Sequence, residues 1–252
     1  MYTLAVAKQR LDVLLVERSL CESRTRAQAL ILAGRVHVGG LRVDKAGTLI
    51  AATANVEIIG NSTRYVSRGG TKLEGALDTL GVSVVGLRCL DIGASTGGFT
   101  DCLLQRGAVS VAAVDVGYGQ LAQKLRLDAR VLVLERTNAR TLDPDAIGGE
   151  VDLTVVDASF IGLGKLLDAI VRCTKPGGAL VALIKPQFES GREEVAKGRG
   201  VITDPAVRQA AIDTATEAVR QHGLSIKGAC DSPIAGPKGN LEAFVYARRP
   251  TQ

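Results

Sequence analysis

Apolar positions follow two rhythms along this chain, and the change of rhythm marks its parts. Near the amino end the spacing is helical, with Leu11, Leu14 and Leu15 at i, i+3 and i+4. Ser23 is placed to cap a second helix that turns Ala27, Leu30 and Ile31 inward and leaves Arg24 and Arg26 outside. Gly34 stands where such a helix stops. Val36 and Val38 then alternate with Arg35 and His37, Gly39-Gly40 makes a two-residue turn, and Leu41 and Val43 continue. That is a hairpin signature. A third short strand over Val56–Ile59 closes a small α+β unit, residues 1–60.

Asn61–Gly70 is a polar, basic linker with Arg64, Arg68 and the pair Gly69-Gly70. Thr71–Leu80 returns to helical spacing, with Leu73, Ala76, Leu77 and Leu80 on one face. From Arg88 onward, short apolar runs alternate with helical stretches. Runs over Cys89–Ile92, Val109–Val114, Val131–Leu134, Val151–Val156 and Ala179–Ile184 are nearly unbroken, as strands buried on both faces should be. A long amphipathic helix over Pro205–His222 precedes two late strands near Ser225–Ala229 and Glu242–Ala247. The expected fold of residues 71–252 is therefore α/β, a doubly wound, Rossmann-like sheet of about seven strands.

In such sheets ligands bind at the carboxyl ends of the strands. The first run ends in Asp91 and breaks into Gly93-Ala94-Ser95-Thr96-Gly97-Gly98-Phe99 before a helix starts. The spacing D-x-G-x-x-x-G-G is not the G-x-G-x-x-G that holds a dinucleotide pyrophosphate. An acid facing the loop suits a cation that carries hydroxyls, and S-adenosylmethionine has an ammonium, a sulfonium and a ribose. Asp115 ends the next strand roughly twenty residues beyond the loop, the distance at which an acid reaches ribose hydroxyls. Two later strand tips carry Asp157, in Asp157-Ala158-Ser159-Phe160, and Lys185, in Lys185-Pro186-Gln187-Phe188-Glu189. A lysine that follows apolar residues is partly desolvated, which favours the neutral amine and suits a base.

Charge sharpens the division. The first 80 residues carry 11 Lys and Arg against 7 Asp and Glu, a net of +4; the remaining 20 and 19 add only +1 to reach +5. Positive charge concentrated in one part of a chain points to a polyanionic partner, here nucleic acid. The five cysteines are scattered with no C-x-x-C pair, and two isolated histidines make no metal cluster. No apolar run reaches the roughly 18 residues of a membrane span, and the charged residues Arg10, Asp12, Glu17 and Arg18 leave no room for a secretion signal. A cytoplasmic protein without metal is the expectation.

The pattern R-L-D-x-L-L, S-R-x-x-A-x-x-L-I-x-x-G-x-V-x-V and a later Lys45 resembles the α-L RNA-binding motif. Gly39 departs from the Asn common in that module, and the turn survives the exchange. The resemblance implies phosphate contacts from Arg24, Arg26, Arg35 and Lys45, with Arg64 and Arg68 of the linker beside them. In the second part Lys72, Asp157, Lys185 and Glu242, in that order around the glycine loop, look like the Lys-Asp-Lys-Glu tetrad of ribose 2′-O-methyltransferases. With R-G-G-x-K-L, D-x-S-F and K-P-Q-F-E, nearly the whole chain resembles the TlyA family of ribosomal RNA methyltransferases, some of which are named hemolysins. What the resemblance implies is S-adenosylmethionine held by Asp91, Gly93 through Phe99, Asp115, Asn138 and Asp157. The implied substrate is a cytidine 2′-hydroxyl in ribosomal RNA, with Lys185 as base and Lys72, Asp157 and Glu242 around it.

Other chemistries fit the letters less well. Amino-group methylation goes with N/D-P-P-Y/F, and Asp157-Ala158-Ser159-Phe160 has no proline. Cytosine C5 methylation needs a cysteine nucleophile at a strand tip, and no cysteine stands there. A pore-forming hemolysin would need a membrane segment. An RNA-binding assembly factor that keeps a cofactor pocket without turnover remains the alternative, and the intact set of four charged residues argues against it.

Overall fold

The computed structural model describes residues 8–18, 20–21, 23–58, 64–191, 198, 200–236 and 238–251. Contacts divide the chain into two compact units, 1–62 and 63–252.

The first unit is built from β1 (Lys8–Arg10), α1 (Leu11–Glu17), α2 (Arg24–Leu32), β2 (Val36–Val38), β3 (Leu41–Val43), β4 (Leu49–Ala51) and β5 (Val56–Ile58). The helical stripe closes into a core of Leu11, Leu14, Leu15, Ala27, Ile31, Val36 and Val56. Ser23 caps α2 by accepting from Arg26 N at 3.2 Å. The hairpin pairs Val38 with Leu41 across Gly39-Gly40, and β5 pairs with the other edge of β2. Ile59 and Gly60, where the third strand and the unit were expected to end, lie outside the described residues, as do 61–63 and most of the basic 192–199 stretch. β1 pairs with β4, which the sequence pattern does not announce.

The second unit holds α3 (Arg68–Thr79), β6 (Arg88–Ile92), α4 (Gly98–Gln105), β7 (Ser110–Val114), α5 (Gln123–Arg126), β8 (Val131–Leu134), β9 (Val151–Val156), α6 (Leu167–Cys173), β10 (Thr174–Ile184), α7 (Pro186–Glu189), α8 (Pro205–Gln221), β11 (Ser225–Asp231) and β12 (Ala243–Arg248). Among the described residues its sheet has seven strands in the order β11-β12-β10-β9-β6-β7-β8. β10, β9, β6, β7 and β8 are parallel, and β12 runs against both of its neighbours. Chain order reverses beside β6, which puts the switch point, and hence the ligand crevice, at the tips of β6 and β9. Two cores flank the sheet, one holding Leu90, Ile92, Leu167, Ile170 and Ala215, the other Leu73, Leu77, Phe99, Leu103 and Phe244.

The helix expected from Thr71 begins instead at Arg68. Ser67 takes the extended conformation of an N-cap, and Gly69-Gly70 form the first turn, where the N–H groups have no helical partner in any case. A Cβ on Gly70 would run into the Tyr65 ring, and one on Gly98 would meet Ser67 Oγ and come 2.9 Å from Gly70 N. The R-G-G sequence is therefore a close helix–helix contact and not the end of a linker.

Candidate active site

Asp91 lies at the tip of β6 and is fully buried. Thr100 Oγ1, from α4, donates to its Oδ2 at 2.7 Å, while Oδ1 is buried with no partner. Burial, reinforced by the nearby charges of Asp157 and Asp115, pushes its carboxyl up to about 7 against the Thr100 bond. Gly93 follows with φ 85°, and a Cβ there would stand 2.7 Å from the Asp157 carbonyl oxygen. Only glycine allows β6 and β9 to close so tightly and still turn. Asp157 N donates to Ile92 O at 2.9 Å, and Gly93 N to Val114 O at 2.9 Å, so three strand tips are tied around this turn.

Asp115, at the tip of β7, accepts Ser95 N at 2.8 Å and Gly117 N at 2.7 Å, one on each carboxylate oxygen. It therefore braces the glycine loop as well as facing it. Ser95 Oγ also donates to Gln120 at 3.2 Å, and Thr96 O accepts Ala122 N at 3.2 Å. Ala94 is buried, and Gly97 and Gly98 open α4. Two residues expected at the cofactor also have structural roles. The Phe99 ring, on the first turn of α4, is buried in the core, 6.1 Å from Phe244. Asn138 caps the turn Ala139–Thr141 through its side chain, accepting Arg140 N at 3.1 Å.

The four charged residues form two ion pairs. Lys72, the fifth residue of α3, pairs with Glu242, and both are nearly closed from solvent, with side chains 8% and 1% exposed. Lys185 Nζ lies 2.6 Å from Asp157 Oδ1, and its side chain is 11% exposed. Register brings the pairs to one edge. Ile184 pairs with Ala243 across β10 and β12, so Lys185 and Glu242 extend adjacent strand tips, and Val156 beside Ala182 places Asp157 on the next one. Arg68 donates to Ala235 O at 3.0 Å, bracing the loop that leads to Glu242. Asn240, 2% exposed, accepts Ile202 N and donates to Gly200 O, both at 2.9 Å.

Three residues of the rim carry no role in the sequence reading. Lys185 Nζ donates to Ser159 Oγ at 2.8 Å. Phe160 is 92% exposed at φ 66° and packs its ring 5.3 Å from Phe188. A non-glycine residue held at positive φ with an exposed ring is an expensive arrangement to keep. The signal was present only as the unassigned letters of D-A-S-F and K-P-Q-F.

Of the expected RNA contacts, Arg26 and Lys45 are exposed and Arg35 is half-buried. Arg24 is committed. Its Nε donates to Asp12 at 2.8 Å, and Arg10 and Gln28 bind the same carboxylate at 3.0 and 2.9 Å. Asp12 is fully buried, and these bonds, Arg10 first, hold its carboxyl well below the usual range despite burial. It thus presents Arg10, a basic residue not among the expected contacts, beside Arg24. Arg64 pairs with Glu74 and lies over the Tyr65 ring. Elsewhere in the second unit, guanidinium groups of Arg88, Arg172 and Arg249 are spent on backbone carbonyls.

Burial pushes the Cys89 and Cys102 thiols up to about 12 and that of Cys173 to about 11, which makes them poor nucleophiles. Among the described residues no group of three or more metal-binding side chains occurs, and no helix is long and apolar enough to cross a membrane.

A switch-point glycine loop, acids at three strand tips and one reversed strand define a Rossmann-like methyltransferase domain. Residues 65–249 match the FtsJ-like methyltransferase family and residues 9–56 the S4 domain. The chain is 48% identical over 245 residues to the 16S/23S rRNA (cytidine-2′-O)-methyltransferase TlyA of Mycobacterium tuberculosis, covering 97% of this chain and 91% of that one. It is 43% identical over 238 residues to Hemolysin A of Brachyspira hyodysenteriae, covering 94% and 98%. A solved structure from Streptococcus thermophilus, named for a hemolysin, superposes with a TM-score of 0.75 at 42% identity, over 98% of this chain and 90% of that one. The chain belongs to the TlyA family of FtsJ-like methyltransferases.

Proposed function

We propose that this protein transfers a methyl group from S-adenosylmethionine to the 2′-hydroxyl of a cytidine ribose in ribosomal RNA. The observation that carries this reading is Lys185, paired with Asp157 at the tip of β10, beside the glycine turn of β6. The cofactor fits the turn on chemical grounds. The unpartnered Oδ1 of buried Asp91 is an acceptor without a donor, and the missing Cβ of Gly93 leaves room against Asp157. Asp91, the Gly93–Gly98 backbone and Asp115 would hold the ammonium and ribose ends. When bound, the cofactor supplies an electrophilic methyl carbon on a positively charged sulfur.

The residues of this chain then do what an alcohol requires. A ribose hydroxyl is a weak nucleophile at neutral pH, so its proton must leave as the oxygen attacks. Lys185 takes that proton, and Asp157 keeps the amine in place and balances the ammonium that results. Lys72 and Glu242, nearly closed from solvent, present a neutral pair at the neighbouring strand tip. Much of the rate comes from holding the reacting atoms in line. The exposed Phe160 ring, packed on the half-buried Phe188 ring, offers an aromatic face beside Lys185 against which a base can lie.

The first unit gives the enzyme its hold on RNA. Arg10, Arg24, Arg26 and Lys45 supply phosphate contacts that position the substrate without reading its sequence. The relatives named for ribosomal RNA methylation and the S4 match support ribosomal RNA as that substrate. Incubating purified ribosomal RNA or subunits with the protein and methyl-labelled S-adenosylmethionine tests the reading. Label should appear in nuclease-resistant 2′-O-methyl dinucleotides; label on base nitrogen or carbon, or none at all, would refute it.

A further inference from the structure

Resting on the proposed methyl transfer, we infer that Ser159 is a positioning residue that aims the amine of Lys185 at the substrate hydroxyl. The Lys-Asp-Lys-Glu set alone does not fix the direction of that amine. Asp157 Oδ1 lies 2.6 Å from Nζ without being placed as its hydrogen-bond acceptor, so this attraction alone leaves the amine free to turn about it. Ser159 Oγ is aligned, accepting from Nζ at 2.8 Å. A base must be neutral when it accepts a proton, and a neutral lysine amine has two N–H bonds and one lone pair. With one N–H given to Ser159 and the other drawn to Asp157, the lone pair is left on the remaining side. The ribose proton passes to it as the oxygen bonds to the methyl carbon, and the carbon–sulfur electron pair stays with sulfur. Without Ser159 the amine turns freely beside the carboxylate, and the lone pair is aimed correctly only part of the time.

The loop that carries Ser159 is held where this role needs it. Phe160 packs on Phe188, and Glu189 accepts Leu163 N at 2.7 Å. A Cβ on Gly162 would stand 2.9 Å from Glu189 Oε2, so the carboxylate sits directly against the loop backbone. The segment 160–163 is thus fastened to Phe188 and Glu189, and the Lys185–Ser159 bond lies immediately before these fastenings. The same contacts explain why D-A-S-F and K-P-Q-F-E act as one site from two strand tips.

The test compares wild type, S159A, S159T and S159C in full-length protein, with ribosomal RNA and S-adenosylmethionine as substrates. Loss of one orienting hydrogen bond to a general base should lower kcat about ten- to a hundredfold in S159A. Both KM values, calorimetric cofactor affinity and the melting temperature should stay near wild type. S159T, which keeps an oxygen acceptor, should recover most of kcat; S159C, a weak acceptor, should not. An S159A kcat within threefold of wild type, a loss that appears in KM, or S159T as slow as S159A would each overturn the inference. A wild-type protein that transfers no methyl group would instead refute the proposed function, so the two failures are distinguishable.

Discussion

Replacing Asp91 with asparagine removes a buried charge whose cost can be worked out from its surroundings. The side chain is fully buried, takes one hydrogen bond from Thr100, and leaves Oδ1 without a partner. Burial first, then the charges of Asp157 and Asp115, pushes the carboxyl from 3.8 up to about 7. At 1.36 kcal/mol per pH unit this corresponds to about 4 kcal/mol between the protonated and ionised forms in the fold. The folded chain keeps a proton that the unfolded chain has given up. The stabilisation is therefore whole below about pH 4 and is lost as pH rises through about 7. Asp91→Asn has no such proton to lose. Urea unfolding of both proteins without cofactor, at pH 5 and pH 8, should show wild type losing about 2–3 kcal/mol more than the variant over that interval. The comparison is of pH dependence, since the new amide N–H₂ lacks an acceptor and shifts absolute stability at both pH values alike. In the same variant, calorimetry should show weaker S-adenosylmethionine binding, because the acid proposed to face the cofactor's cation has gone. Parallel pH dependence in the two proteins would refute the argument that the fold keeps an unfavourable buried charge for its ligand.

Lys185→Ala should abolish methyl transfer and leave calorimetric cofactor affinity within a few-fold, because its role is proton removal; turnover near the wild-type rate would sink the assignment. Gly93→Ala places a Cβ 2.7 Å from the Asp157 carbonyl at φ 85°. It should cost about 1–3 kcal/mol in thermal unfolding and weaken cofactor binding, and an unchanged melting curve would count against the tight β6–β9 closure. Removing residues 1–62 leaves a unit with two cores of its own. It should still bind S-adenosylmethionine, while ribosomal RNA binding weakens and its salt dependence flattens as fewer phosphates are neutralised; equal RNA affinity and slope would remove the first unit from RNA capture.

Period carried the architecture. Buried parallel strands read as unbroken apolar runs, and their tips are where the chain must show charge, so Asp91, Asp115, Asp157 and Lys185 stood out with their surroundings. The Gly39-Gly40 hairpin was legible for the same reason, because the alternation on both sides fixes its register. Three kinds of feature were not legible. Strand β1, Lys8–Arg10, is three polar residues whose pairing with β4 depends on distant chain, so no periodicity marks it. Phe99 looked like part of the loop, but helix geometry turned it into the core. Side-chain partnerships were hidden altogether. Asp12 claims Arg24, Ser159 aligns Lys185, and Asn240 ties Gly200 and Ile202 to the loop before Glu242, through contacts between residues far apart in sequence.

The central claim is that Lys185 and its neighbours deprotonate a ribose hydroxyl in ribosomal RNA. Its most direct test is mass mapping of ribose methylation across both ribosomal RNAs, after incubation with wild type or Lys185→Ala and isotopically labelled S-adenosylmethionine. The account predicts labelled 2′-O-methyl groups on discrete cytidines with wild type and none with the variant. Label on a nucleobase, or equal ribose labelling by both proteins, would contradict it.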